Sequence, residues 1–259
     1  METVRLEPIR NVAVVSNAGA GKTSLSEALL YAGEAIPMLG SVTHGTTVSD
    51  FEPEELRHRN STSTGLLQFS WNHTNINLID PPGALDLLGE PLAALQAVDA
   101  VILLLSGNMG VRTELARLWA RIKELELPCL VFVNGLDKEG ASFENALETC
   151  RQQLGRVPIS MTVPIISGTN LDGVIDVRHE KLVRSGPSSA QVEHLPISND
   201  LEKILSGARK QLVEAVAESG ETLLETYLTQ GELSTEDLLH GLRRGIQTNQ
   251  FLPVYAGSA

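Results

Sequence analysis

The chain has 259 residues, is 42% hydrophobic, and carries 20 basic against 32 acidic residues for a formal charge of −12. That length fits one large or two small domains, and the apolar share is enough for a sizeable core. The acidic balance disfavours unaided binding to nucleic acid or to an anionic membrane surface, so no direct DNA binding is expected.

The first eight residues are short and charged rather than a secretory leader, and no repeat or low-complexity tract follows. Residues 12–15 (Val-Ala-Val-Val) read as a strand, and a helical pattern runs over Lys22–Ala32. Residues 66–71 and 75–79 read as two strands joined by a turn at Asn72-His73-Thr74. Residues 100–105 and 129–133 are continuous apolar runs, as in a sheet covered on both faces, with a helix over 113–125 between them. The longer of these runs is far too short to span a bilayer, so no membrane partner is expected. Phe143, Leu147, Cys150 and Leu154 recur on one helical face. The two cysteines, Cys129 and Cys150, sit in apolar positions and suit small core residues in a reduced cytoplasm.

From about Arg156 the pattern changes. Residues 157–166 and 171–177 read as strands around a turn at Gly168-Thr169-Asn170, and 178–199 reads as loop-rich, with Gly186-Pro187-Ser188-Ser189. Helical segments are expected over 201–219, 221–229 and 235–244, the last capped by Ser234 with Asp237 at the third helical position. Residues 251–256 read as a returning strand. Alternating strands and helices give an α/β fold with a mostly parallel sheet. The expected division is 1–155 with 251–259 as the α/β domain, and 156–250 as a small α+β insertion.

Three blocks carry chemistry, each at the end of an apolar run. Ser16-Asn17-Ala18-Gly19-Ala20-Gly21-Lys22-Thr23 is a glycine-rich turn between strand and helix. Such a turn offers backbone N–H groups and a helix N-terminus to phosphate, with Lys22 reaching the β- and γ-phosphates and the Thr23 hydroxyl ligating Mg²⁺. Asp80-Pro81-Pro82-Gly83 ends the next strand pair; Asp80 can hold Mg²⁺ through water, and the Gly83 N–H can report the γ-phosphate. Asn134-Gly135-Leu136-Asp137 ends the strand after the next. The Asp137 carboxylate matches the paired donors on the guanine edge, a pattern adenine lacks. Gly257-Ser258-Ala259 can add a backbone N–H for the guanine oxygen, which puts Ser258 and Ala259 with Asn134 and Asp137 around the base. The ligands expected from these blocks are GTP or GDP with Mg²⁺.

The chain resembles the GTP-binding domain of translation elongation factor G and its paralogues, and the likeness runs end to end. Beyond the three blocks it rests on Ile9-Arg10-Asn11-Val12, Glu27-Ala28-Leu29-Leu30-Tyr31, Gly45-Thr46-Thr47-Val48-Ser49-Asp50, Asp99-Ala100-Val101, Gly110-Val111, Trp119 and Pro253-Val254-Tyr255-Ala256. The resemblance implies a P-loop NTPase fold of the translational GTPase type, with an insertion before the last motif. The start of that insertion is carried by Pro164-Ile165-Ile166 and Gly173-Val174-Ile175-Asp176. It also implies GTP hydrolysis in translation, with the ribosome as an activator reached through domains outside this chain. Since further domains follow in the family, the chain reads as a fragment or a truncated gene that exposes apolar sheet surface near its end.

The departures bear on activity. Ala84 stands where the family has the histidine that orients the attacking water, so no catalytic residue is assigned. Loss of one positioning group costs roughly 10²–10³ in rate, by analogy with removing a single oxyanion donor. Hydrolysis is therefore expected to be slow or partner-dependent, and a GTP-sensing module with little hydrolysis is the alternative. Gly135 replaces the family lysine whose stem covers the base, a loss on the order of 1 kcal/mol. Gly19 replaces an aspartate. The family's Mg²⁺-ligating threonine of the first switch falls on Ser61 or Thr62, and alignment through Asp50 and Glu55 favours Ser61. His44 and His58 are expected to be solvated loop residues, residues 52–55 a solvated acidic surface, and Arg243-Arg244 the close of a helix.

Overall fold

The computed structural model describes residues 7–50, 52–58, 60–168, 170–186 and 192–259. The His58 side chain, Thr169 and Pro187-Ser188-Ser189 lie outside the described residues. The chain falls into two compact units, one comprising residues up to 104 with 112–125 and Ala259, the other 105–111 with 126–258.

In the first unit, strand β1 (Ile9–Ser16) runs parallel to β3 (Thr74–Asp80) on one side and to β4 (Ala100–Ser106) on the other. Strand β2 (Gly65–Trp71) pairs antiparallel with β3. Ala13, Val14 and Val15 are buried to within 1% because β1 has neighbours on both edges and cover on both faces. The β2–β3 turn is tighter than expected. Asn72 and His73 alone make it, both at positive φ (46° and 58°), which matches the twist of a two-residue hairpin. Helix α1 (Lys22–Ala32) begins where the sequence predicts. A short helix α2 (Pro53–His58) precedes β2, and a 3₁₀ turn (Leu85–Leu87) and α3 (Gly89–Ala94) follow β3. Helix α4 (Thr113–Glu124) buries Leu115, Leu118, Trp119 and Ile122, a single stripe at helical spacing.

In the second unit, β11 (Leu252–Ala256) lies between β5 (Cys129–Asn134) and β6 (Pro158–Ser160), parallel to both. Helix α5 (Phe143–Gln152) is capped by the Ser142 hydroxyl, which accepts from the Asn145 N–H. Leu154 lies beyond the helix end yet is 2% exposed. Residues 157–166, read from sequence as one strand, are two. Met161 separates β6 from β7 (Thr162–Ser167), and its N–H donates to Val254 while its carbonyl accepts from Val177.

A second, antiparallel sheet runs β10 (Val192–Leu195), β9 (Lys181–Ser185), β8 (Asn170–Asp176), β7. Its strands β9 and β10 correct the loop-rich expectation for 178–199. Both are short and, Leu182 apart, largely exposed, so they carry no alternating apolar signature. Helices α6 (Asn199–Ala217), α7 (Glu221–Gln230) and α8 (Thr235–Gln247) complete the unit. Ser234 caps α8 as expected, with Asp237 N–H donating to its hydroxyl, but α8 runs on past Arg244 to Gln247. Leu212, Val216, Leu238, Leu242 and Phe251 form its core with Ile159 and Val177.

Candidate nucleotide site

The phosphate loop lies in the first unit, between β1 and α1. Its glycines Gly19 and Gly21 take positive φ (77° and 94°), and the Ala20 N–H turns back to the Asn17 carbonyl. Ser16 donates its hydroxyl to that same carbonyl at 2.7 Å. The inner face of α1 carries chemistry rather than hydrocarbon, since Lys22, Ser26 and Glu27 are buried beside Leu25 and Leu30. Burial disfavours the Lys22 ammonium and lowers its pKa, while the carboxylates of Asp80 and Asp50 work the other way. Asp80 is 2% exposed; burial pushes its carboxyl up to about 6, against the Lys22 charge and a 2.9 Å bond from the Ser26 hydroxyl.

A cavity of about 220 Å³ opens here, lined by Ala18, Gly19, Gly21, Lys22, Thr23, Ser24, Val42, Asn60, Ser61, Gly83 and Ala84. The structure thus brings the first two blocks and Ser61 together. Gly83 lies so close to the loop that a Cβ there would sit 2.7 Å from Lys22 Nζ and 3.2 Å from the Ala18 backbone. Thr23 Oγ1 and Ser61 Oγ are 3.3 Å apart, and Ser61 donates to Asp50 Oδ1 at 2.7 Å. Among the described residues, Asp80 Oδ1 is buried and meets no hydrogen-bond partner. Thr23 and Ser61 offer two adjacent hydroxyls at the cavity, and Asp80 a buried carboxylate oxygen, donors of the kind a hard divalent cation takes. Among the described residues no cluster of three His, Cys, Asp or Glu side chains exists to hold a metal by itself. Ala84 presents only a methyl to the cavity.

The acidic run of residues 52–55 is not simply a solvated surface, because Glu55 is 1% exposed. Its Oε1 accepts the backbone N–H groups of Thr62 (2.8 Å) and Ser63 (3.1 Å) and the hydroxyls of both, and its Oε2 accepts the Glu52 N–H. Burial alone would raise this carboxyl, but those donors outweigh it and hold it below its ordinary value. Glu55 therefore fixes the turn that presents Ser61. Glu27 plays a similar part earlier, accepting the Val48 N–H at 2.5 Å from within α1, with its other oxygen buried and unpartnered among the described residues. Sequence reading missed both as site residues. The available signal was a polar pair, Ser26-Glu27, on a helix face whose period calls for apolar residues. His44 is exposed, as expected.

The Asn134-Gly135-Leu136-Asp137 block lies in the second unit, at the end of β5. Asn134 is 2% exposed, and its carbonyl accepts the Gly107 N–H. Residues 133–137 are joined to the last motif: Gly257 N–H donates to the Val133 carbonyl, Leu136 N–H to the Gly257 carbonyl, and the Ser258 hydroxyl to Asp137 Oδ1 at 2.5 Å. Asn134, Asp137 and Ser258 thus form one cluster, and Ala259 follows it, exposed. Gly135 takes φ +69°, a conformation that side chains other than glycine rarely adopt.

A glycine-rich phosphate loop, a buried aspartate at the next strand end and an Asn-x-x-Asp block in this order define a P-loop GTPase domain. Comparison with known proteins agrees, since residues 7–259 match the family described as the elongation factor Tu GTP binding domain, and the chain belongs to that family. It is 32% identical over 258 residues to elongation factor G of Mycoplasma pneumoniae, covering 99% of the chain and 38% of the relative. It is 31% identical to elongation factor G of Petrotoga mobilis (98% and 37%), and 29% identical to the mitochondrial ribosome-releasing factor 2 of Yarrowia lipolytica (97% and 33%). The chain therefore spans little more than a third of the length of these curated relatives. A crystal structure from Thermus thermophilus superposes with a TM-score of 0.88 at 33% identity, covering 97% of this chain and 38% of that one.

Proposed function

We propose that the chain is the guanine-nucleotide domain of an elongation factor G-like translational GTPase, binding GTP and GDP with Mg²⁺ and hydrolysing GTP slowly unless a partner assists. The observation that supports this best is the convergence of Lys22, Thr23, Ser61 and Gly83 on one cavity. Asn17, Ala18, Gly19, Ala20 and Gly21 would give backbone donors to the phosphates. Asn134, Asp137, Ser258 and Ala259 would read the base. Thr23 and Ser61 would hold Mg²⁺ directly and Asp80 through water. When bound, Mg²⁺ neutralises charge on the β- and γ-phosphates. Because the protein offers hydroxyls rather than a carboxylate cluster, the phosphates themselves would complete the coordination, which makes metal and nucleotide binding interdependent.

The ribosome is the proposed activator, in keeping with the names of the relatives, reached through parts of the protein outside this chain. Ala84 supports a second reading, a module that senses GTP but scarcely hydrolyses it, since a methyl neither orients water nor accepts its proton. Calorimetric titration with GDP, a non-hydrolysable GTP analogue and an ATP analogue, each with and without Mg²⁺, tests the binding. Preference for guanine and dependence on Mg²⁺ are expected; equal binding of adenine nucleotides would sink the proposal. Turnover with and without ribosomes separates the two readings, because only the first expects ribosomes to accelerate it.

A further inference from the structure

We infer that Lys138 covers one face of the guanine ring, supplying from one turn onward the contact that Gly135 lacks. The inference rests on the guanine-nucleotide reading above. A purine leaving water needs its flat face met by hydrocarbon or a cation as well as its edge met by hydrogen bonds. At the reader block most side chains are committed elsewhere. Asn134 is buried, and Leu136 is 2% exposed with its Cδ2 packed toward Gly107. Asp137 is tied to Ser258, and Gly135 has no side chain.

Lys138 is exposed and folds back. Its N–H donates to the Gly135 carbonyl at 3.2 Å, closing a turn that returns the side chain over residue 135. A Cβ on Gly135 would lie 3.2 Å from Lys138 Cδ, 3.3 Å from Cε and 3.5 Å from Nζ. The far half of the lysine therefore occupies the space into which a residue-135 side chain would extend. Among the described residues no carboxylate forms an ion pair with its ammonium. A long side chain resting on backbone rather than ranging through solvent presents an ordered apolar strip with a cation at its end. Gly135 and Lys138 are thus a complementary pair: the absence of a Cβ makes the room, and the lysine fills it.

The test is GDP and ADP affinity of the full chain by calorimetry, for the unsubstituted protein and for Lys138→Ala, Lys138→Met and Gly135→Ala. Lys138→Ala is expected to weaken GDP by about three- to fivefold, the worth of withdrawing roughly 30–40 Å² of apolar stem from contact with the ring. Lys138→Met, which keeps the stem, should retain most of the affinity. Gly135→Ala, which pushes the stem aside, should cost as much as Lys138→Ala, with little further loss in the double variant. Unchanged GDP affinity in Lys138→Ala, with guanine still preferred over adenine, would overturn the inference and leave the guanine reading standing. Lys138→Met as weak as Lys138→Ala would overturn cover by the stem. No guanine preference in the unsubstituted chain would overturn both. Because Lys138 is exposed, its variants probe binding without depending on the Gly135 fold.

Discussion

The phosphate loop of the first unit and the Asn134–Asp137 block of the second, the proposed base reader, differ in how their polar groups are satisfied. Around the phosphate loop, polar groups are buried without full satisfaction. Among the described residues, Asp80 Oδ1, Glu27 Oε2, Thr47 Oγ1 and Ser49 Oγ find no hydrogen-bond partner, and Lys22 is desolvated. Around the base reader, Asp137 already accepts from Ser258, and backbone bonds from Leu136 and Gly257 close the block on itself. An unpaired buried polar group is costly, so the first region stands to gain most when charged ligands arrive. The second region is organised in advance and can contribute discrimination with little rearrangement.

That contrast predicts unequal effects. Lys22→Ala, at the unsatisfied end, should weaken both GDP and GTP-analogue binding by at least about 100-fold, because it removes a charge-assisted contact from a desolvated site. Titration calorimetry checks it, and a loss below tenfold would mean that the backbone donors of the loop carry the phosphates. Asp137→Ala should cost guanine nucleotides on the order of 10–100-fold while leaving ADP unchanged, the range for a hydrogen bond to a charged group. Equal losses for GDP and ADP would show that Asp137 stabilises its turn rather than reads the base.

The sequence made the same contrast only half visible. Strand-end blocks with fixed residue types are legible because their backbone geometry is local. Lys22 to Thr23 and Asn134 to Asp137 each act within one turn, and α1 starts where the motif says. The placement of Ser61 beside Thr23 is reached only through resemblance, since the two lie 38 positions apart in the chain and no periodicity links them. Glu55 was illegible for another reason. An acidic run of residues 52–55 looks solvated, and only the fold shows that the donors of Thr62 and Ser63 turn back onto one of its carboxylates. Strands β9 and β10 are hard to read because short, largely exposed strands owe more to sheet pairing than to a buried face, β9 burying only Leu182. Lys138 escaped because a departure at Gly135 reads as a loss until the neighbouring side chain is seen in its place.

Glu55→Gln sharpens the comparison from the satisfied side of the first unit. The carboxylate gathers several donors from 52 and 62–63, and an amide keeps one acceptor and brings donors where donors already point. A destabilisation of about 1–3 kcal/mol at pH 7 is expected in denaturant unfolding. The sign with pH follows from the folded carboxyl lying below its ordinary value of 4.5. Its stabilisation is fully present above that value and is lost as pH falls through the lower folded value, so the gap between the two proteins should close on acidification. A gap independent of pH would mean that packing, not the ionised carboxylate, sets the effect.

The smallest expected effect lies at the base-reading end. Ser258→Ala removes one hydroxyl donor from Asp137, whose carboxylate is exposed and keeps water as a substitute partner. One such bond is worth about 0.5–1.5 kcal/mol net, so GDP affinity should fall by roughly two- to tenfold and ADP affinity not at all. The mechanism is orientation: without Ser258 the carboxylate samples more rotamers, and the entropy of fixing it is met at binding instead of at folding. A loss well beyond tenfold would mean that Ser258 touches the nucleotide itself, and the base-reading end would then hold an unsatisfied group of the kind found around the phosphates.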